Sequence, residues 1–314
     1  MFNCKNIEES METVLVTGAT GFLGSALVEA LFDQGKRVIG IGRRDQGFLS
    51  DRVVKDPQFI LRRLDLTQDV EVALSEYKVD TIFHLAAQQP SSPNISFDDF
   101  YKGNVITTRN VIALAKQSAS QLIYASTIAV WGALDKELCE DVPPTPNNYY
   151  SLTKYIAERL IEIELQRTNV QAIVVRFPSL YGRNHLGGMI YTYVQLARAN
   201  TPIEVYGNGQ TARNALYVGD AIKALCKVAE NKDKLAQFEM FLAGSANSLP
   251  MAKIAQHVKD ALGSSSPIVP IDKPSSPPWD VRINTEKAKN RLAFAPMRIE
   301  EGIRQYIKDI LRDV

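Results

Sequence analysis

Near the middle of the 314-residue chain, YYSLTKY (Tyr149–Tyr155) sets two adjacent tyrosines ahead of a lysine. A phenol and an amine held together are acid–base groups, so the question is which tyrosine the lysine can reach. Residues four apart on a helix share a face one turn apart, which makes Tyr150 and Lys154 neighbours and turns Tyr149 elsewhere. An ordinary amphipathic helix with a surface lysine has the same spacing. The rest of the chain must decide.

A second stretch, TGATGFLG (Thr17–Gly24), follows directly on the β-branched run TVLVT and opens a helix-period segment. Gly18, Gly21 and Gly24 are spaced G-x-x-G-x-x-G. Such a loop gives a tight turn, close backbone approach to a pyrophosphate and close helix–strand packing, and the helix start supplies free N–H groups and a positive dipole end. A glycine-rich turn without a ligand is the weaker reading. At the end of the second apolar run the chain reads IGIGRRD, so Gly42 is followed by Arg43 and Arg44. An NAD site usually has an acid there for the ribose hydroxyls, whereas arginine accommodates a 2′-phosphate. We therefore expect NADP(H), with NAD(H) as the alternative, in which the arginines are surface groups and Asp45 is a displaced ribose acid. Asp65, in LDLT, is placed to contact the adenine edge or to cap the following helix.

The elements that must position these groups follow from periodicity. Strands are expected at 13–17, 37–41, 59–64, 81–86, 122–126 and 172–177, with helices near 22–34, 67–77, 95–117 and 148–168. This alternation predicts an α/β fold, a Rossmann-type doubly wound parallel sheet with ligands outside the carboxyl ends of its strands. After about residue 178 the pattern loosens into helices near 187–200, 219–230, 250–262 and 299–312. We expect a dinucleotide-binding domain over 1–178 plus about 212–242. A smaller C-terminal α/β substrate lobe would take 179–211 and 243–314. KPSSPP (273–278) reads as an irregular loop.

Composition excludes some partners. With 45% hydrophobic and 23% charged residues and a formal charge of +1, the chain has no electrostatic reason to bind nucleic acid or an anionic membrane. Cys4, Cys139 and Cys226 are few and widely spaced, as free thiols are, and suggest neither a disulfide framework nor a metal site. The N-terminus lacks the apolar core of a secretory signal, and no run approaches the ~18–20 apolar residues of a membrane span, so a cytoplasmic location is expected. His84 sits in a buried strand and reads as a packed or backbone-bonded histidine. His185, in the loop after RFPSLYG, is either a substrate contact or, as for most histidines in such loops, an ordinary loop residue. Cys139 has no evident partner.

The ordered set TGATGFLG, DLT, HLAA (84–87), YASTIAVWG (124–132) and YYSLTK resembles the extended short-chain dehydrogenase/reductase family. RFPSLYG (176–182), VYGNGQTARNALYVGDA (205–221) and LAFAP (292–296) extend the likeness to that family's nucleotide-sugar branch, over nearly the whole chain. The resemblance implies a catalytic set of Thr127, Tyr150 and Lys154. Tyr150 would be the general acid or base at a carbonyl/alcohol carbon; because a free phenol has a pKa of about 10, Lys154 would support the phenolate and bond the nicotinamide ribose. Thr127 would bond the substrate oxygen. Cofactor contacts would come from Gly18, Thr20, Gly21, Phe22, Leu23 and Gly24, from Arg43, Arg44, Asp65 and Leu66, from Leu85, Ala86 and Ala87, from Tyr150 and Lys154, and from Phe177 and Pro178.

The resemblance also implies a nucleotide-diphosphate sugar substrate, contacted by Gln88, Ser126, Thr127, Ser179 and Arg213, a guanidinium being suited to a diphosphate. Ser179 stands where the family often has asparagine, and Asn214 follows Arg213 where it often has aspartate. Ile128 and Ala129 occupy the places where family 4,6-dehydratases carry an Asp-Glu pair, which removes the acid and base of water elimination. What is left is 4-ketoreduction with NADPH, the reading favoured by Arg43 and Arg44, or 4-epimerisation with NAD. Reduction of a non-sugar carbonyl and non-catalytic NADP binding are further alternatives. By the same likeness, the helices near 95–117 and 148–168 would pair across a homodimer.

Overall fold

The structure is a computed structural model, and it describes residues 11–68, 74, 76–133, 135–274 and 277–312. Cys4 and most of the helix expected over 67–77 lie outside the described residues. The strands are β1 (Thr13–Thr17), β2 (Arg37–Gly42), β3 (Phe59–Arg63), β4 (Thr81–His84), β5 (Gln121–Thr127), β6 (Gln171–Phe177), β7 (Ser179–Tyr181), β8 (Ile203–Tyr206), β9 (Ala212–Arg213), β10 (Ala215–Tyr217), β11 (Phe238–Leu242), β12 (Leu249–Pro250) and β13 (Ile268–Ile271). Seven of them form one parallel sheet in the order β11-β6-β5-β4-β1-β2-β3. The chain turns back between β1 and β4. In such sheets this reversal opens a ligand crevice at the carboxyl ends of the two strands.

The helices are α1 (Phe22–Asp33), the short α2 (Asp51–Val54), α3, α4 (Tyr149–Leu165), α5 (Gly188–Arg198), α6 (Val218–Glu230), α7 (Met251–Leu262), α8 (Glu286–Leu292) and α9 (Ile299–Leu311). What periodicity reads as one helix over 95–117 is α3, built of Phe97–Phe100, a π-helical stretch Tyr101–Ile106, and Thr107–Ser118. The wide turn has a use, as such turns often do. It presents Asn104, whose Oδ1 accepts from Gln88 N at 2.8 Å and whose Nδ2 donates to Thr153 Oγ1 at 3.0 Å. The loop after β4 is thereby tied to the helix that carries Tyr150. Gly103 is needed because a Cβ there would come within 2.5 Å of the Gln88 side chain.

Strand residues on each face of the sheet bury an apolar layer. Val14, Val16, Phe83, Ile123 and Val175 pack with α1 and α6 on one side, and Leu15, Ile82, Leu122 and Val174 pack with α3 and α4 on the other. Ala288, Leu292 and Phe294, at and just after α8, join the first layer although they lie late in the chain. A third core joins α5, α7 and α9 around Val194, Val205, Ile254 and Ile303.

Candidate active site

The glycine loop has the geometry of an anion cradle. Gly18 adopts φ +71°, and a Cβ there would meet Ala86 N at 3.0 Å, so the loop touches the turn after β4. A Cβ on Gly24 would overlap the Gly18 carbonyl oxygen. Only glycine lets α1 start this close to β1. Thr17 Oγ1 accepts from both Leu85 N and Ala86 N at 3.1 Å, which fixes Leu85–Ala87 along the same crevice. α1 has neither a side-chain cap nor an acid in its first turn. The N–H ends at Phe22, Leu23 and Gly24 therefore present an uncompensated positive dipole to a phosphate group. The residues fit a dinucleotide pyrophosphate.

Beyond the loop, Gly42 ends β2 against Thr20: a Cβ there would lie 2.5 Å from Thr20 Oγ1. No side chain, acidic or otherwise, fits at that strand end without displacing Thr20. Arg43 and Arg44 follow in the open, Arg44 lying 5.9 Å over the Phe48 ring, while Asp45 pairs with Arg63 at 3.1 Å. Asp65 Oδ1 accepts from Thr67 N at 3.0 Å, which closes a local turn. Leu66 beside it is buried, and its carbonyl is held by Asn110.

At the far side of the crevice, an Asn148–Ser151 capping box starts α4 and so sets the phase of its face. Tyr150, half-buried, packs against Phe100 at 6.1 Å. Tyr149 is 56% exposed and stacks edge-on against Phe97, away from the crevice. Burial pushes the Tyr150 phenol up to about 12, while the nearby side chains of Gln89 and Thr127 act the other way. Thr127 ends β5 and accepts from Ala129 N at 3.1 Å, which leaves its own O–H to donate. Lys154, 2% exposed, donates to Ala125 O at 2.7 Å and lies 4.1 Å over the Tyr124 ring. Desolvation draws its pKa down to about 7, against the opposing attraction of Glu158.

Other residues named from sequence fall into two groups. Phe177 ends β6 in register with Thr127, so it and Pro178 lie beside the end of β5. Gln88 is held at its backbone by Asn104, and Ser179 is exposed at the start of β7. Ser126 instead donates its hydroxyl to Glu158, beneath the crevice. Arg213 gives its guanidinium to carbonyls, those of Ala212 at 2.9 Å, Trp279 at 3.0 Å and Pro277, and so pins the end of KPSSPP and the residue after it. His84 is fully buried between hydroxyls rather than backbone groups, 2.8 Å from Thr17 Oγ1 and 3.0 Å from Thr108 Oγ1. Burial and the Lys154 charge hold it neutral, with a pKa drawn down to about 3. His185 stacks on Phe22 at 4.7 Å, so the loop after β7 reaches the pyrophosphate turn. Gln89 escapes a sequence reading because it belongs to no motif; only the fold brings it to the phenol.

Comparison with known proteins agrees with this arrangement. Residues 14–244 match the NAD dependent epimerase/dehydratase family. The chain belongs to that family. Epimerase-family relatives are similar over most of the length. A protein named as an uncharacterized UDP-glucose epimerase, YtcB, of Bacillus subtilis (strain 168) is 27% identical over 300 residues, 90% of this chain and 92% of that one. UDP-glucuronic acid decarboxylase 1 of Arabidopsis thaliana is 27% identical over 317 residues, 94% of this chain and 69% of the relative. Among solved structures, MoeE5 in complex with UDP-glucuronic acid and NAD superposes with a TM-score of 0.84 at 25% identity, covering 96% of this chain and 100% of that chain. The UDP-glucuronic acid 4-epimerase of Bacillus cereus shares the fold, with a TM-score of 0.82 at 22% identity, covering 95% and 99%. The extended short-chain dehydrogenase/reductase family, with its NAD(P)-dependent enzyme chemistry, and the Rossmann-type sheet are thus established for this chain.

Proposed function

We propose that the protein is a nucleotide-diphosphate-sugar 4-epimerase that keeps its nicotinamide dinucleotide bound through the cycle. The observation that carries this reading is that Thr127, at the end of β5 near the Tyr150 phenol, is not followed by an acid–base pair. The next two residues are Ile128 and Ala129. Elimination of water needs an additional acid and base; inversion of a secondary alcohol needs one group that takes a proton and returns it. NAD-bound relatives and the epimerase names among them support the same choice over a ketoreductase.

In this reading the α1 N-terminus and Gly18–Gly24 hold the pyrophosphate, and Lys154 is placed at the nicotinamide ribose. When bound, the nicotinamide would supply a reversible hydride acceptor for C4 of the sugar. Tyr150 accepts the C4 hydroxyl proton as the alcohol is oxidised and returns it when the ketone has turned its other face. Lys154 in its ammonium form stabilises the tyrosinate. Thr127 donates to the same oxygen. Gln88, Ser179 and the lobe built on α5, α7 and α9 take the sugar nucleotide, and Arg213 shapes that pocket by holding the 277–279 loop.

A second reading is favoured by one feature. Gly42 has no room for an acid, and Arg43 and Arg44 stand in the open where a 2′-phosphate would lie. NADP(H) and 4-ketoreduction of a nucleotide 4-keto-6-deoxysugar follow from it. The nucleotide released from the denatured protein, together with turnover of UDP-sugars and 4-keto-6-deoxysugar nucleotides, separates the two. Tightly bound NAD and no net oxidation support the epimerase, whereas stoichiometric NADPH consumption replaces it with the reductase. The exposed apolar residues Phe97 and Tyr101 of α3 and Leu152 and Ile163 of α4 support a homodimer through these helices. Sedimentation showing only monomer at micromolar concentration refutes that part. A cytoplasmic location belongs to this proposal as well, resting on the unpaired Cys139 and Cys226.

A further inference from the structure

One buried ionic group lies directly beneath the Tyr150–Lys154 pair and takes no part in the chemistry above. Glu158 is one turn beyond Lys154 on the same face of α4, so Tyr150, Lys154 and Glu158 form a single line at four-residue spacing. Its side chain is 5% exposed. Arg176, on β6, grips it with two bonds, Nε to Oε1 at 3.0 Å and Nη2 to Oε2 at 2.6 Å. Ser126, on β5, donates its hydroxyl to the same Oε1. Arg176 itself lies 4.4 Å over the Trp131 ring. The carboxylate therefore has one fixed place, set by three elements of the site.

That place matters for Lys154. The ammonium is anchored on the carbonyl of Ala125, and the next strand residue, Ser126, is the one that bonds the carboxylate. The other groups facing the amine are the Tyr150 phenol on its own helix, the Tyr124 ring on β5 and the neutral His84 on β4. Arg176, on β6, is a cation already committed to Glu158. Glu158 is thus the anion that opposes the desolvation of Lys154. A buried ion pair is weak grounds for stability, since apolar residues of similar volume often do as well. An electrostatic task explains its presence better.

We propose that Glu158 is a positioning residue that keeps Lys154 cationic at the catalytic tyrosine, with Arg176 and Ser126 fixing its carboxylate. The inference rests on the role given to Lys154 above, and its test needs no substrate. The protein is prepared with carbon-13 at the lysine ε-carbons, and the Lys154 signal, identified by its loss in Lys154→Met, is followed against pH. A unit charge one helical turn away at an effective dielectric near 20 is worth about 1–2 pH units. Glu158→Gln should lower the Lys154 midpoint by that amount, and Glu158→Asp should restore most of it. Should Glu158→Gln not fold, the paired change Glu158→Gln/Arg176→Met removes both charges and should still lower the midpoint. A midpoint unchanged or raised in the variant that folds overturns the inference and leaves the epimerase reading untouched. A lowered midpoint in a protein inert toward every sugar nucleotide upholds the inference and removes the epimerase reading.

Discussion

Replacing Lys154 by methionine should abolish turnover and yet stabilise the fold in acid. The amine is 2% exposed, and burial takes its pKa from the ordinary 10.5 to about 7. Below pH 7 the group is charged in both states. Between 7 and 10.5 the unfolded chain holds a proton that the folded one lacks, so stability rises with pH across that window. The cost of carrying the charge is therefore full below pH 7 and gone by pH 10.5. At 1.36 kcal/mol per pH unit it amounts to about 5 kcal/mol at most. Methionine also forfeits the charged bond to Ala125 O, about 1.5–3 kcal/mol, and the contact with the Tyr124 ring, about 1 kcal/mol. The net gain is about 1–2 kcal/mol at pH 6, a rise of about 2–5 °C in melting temperature. Scanning calorimetry at pH 6 and pH 10 reads it directly. A variant that melts below the wild type at pH 6, or by the same margin at both pH values, refutes the reasoning.

Other outcomes follow from the same geometry. Tyr150→Phe removes the proton-transfer group but keeps the Phe100 contact, so kcat should fall about 10²–10⁴-fold with little change in melting temperature; retained turnover would exclude Tyr150 as the acid–base residue. Gly24→Ala forces a Cβ into the Gly18 carbonyl and moves the start of α1, so calorimetry should find dinucleotide binding lost while the far sheet edge still folds. Removing the Gln89 amide with Gln89→Ala takes away a side chain that lowers the Tyr150 pKa, and the alkaline phenol titration, measured as absorbance against Tyr150→Phe, should move to higher pH. Arg43→Ala together with Arg44→Ala should weaken NADP(H) binding far more than NAD(H) binding if the 2′-phosphate lies there; equal effects on both would dismiss the second reading.

The sheet is legible in the sequence because its β-branched runs and intervening helix periods are long and regular, and the observed β1, β5 and β6 differ from the expected spans by one residue at most. The glycine loop is legible for a different reason: steric need leaves few residue types possible, as the Gly24 overlap with the Gly18 carbonyl makes plain. Tyr150 is separable from Tyr149 by helical phase alone, and the structure turns Tyr149 outward as that phase requires. What spacing cannot supply is the partner that a polar side chain takes across the fold. Ser126, expected at the substrate, faces Glu158; Arg213 spends its donors on backbone carbonyls; Gln89 arrives at the phenol from an exposed loop. The π-helical stretch in α3 is invisible for a related reason. Its apolar pattern is helical, and the bonds that Asn104 makes from the wider turn, to Gln88 N and Thr153 Oγ1, cross the fold.

The most direct test of the central claim is to incubate the purified protein with a UDP-sugar in deuterated water and follow C4 by proton NMR. The account predicts inversion at C4, no deuterium at that carbon, and no net production of NADH or NADPH, because the hydrogen leaves and returns as the same hydride. Release of water or carbon dioxide, or turnover that stops without added NADPH, would contradict it.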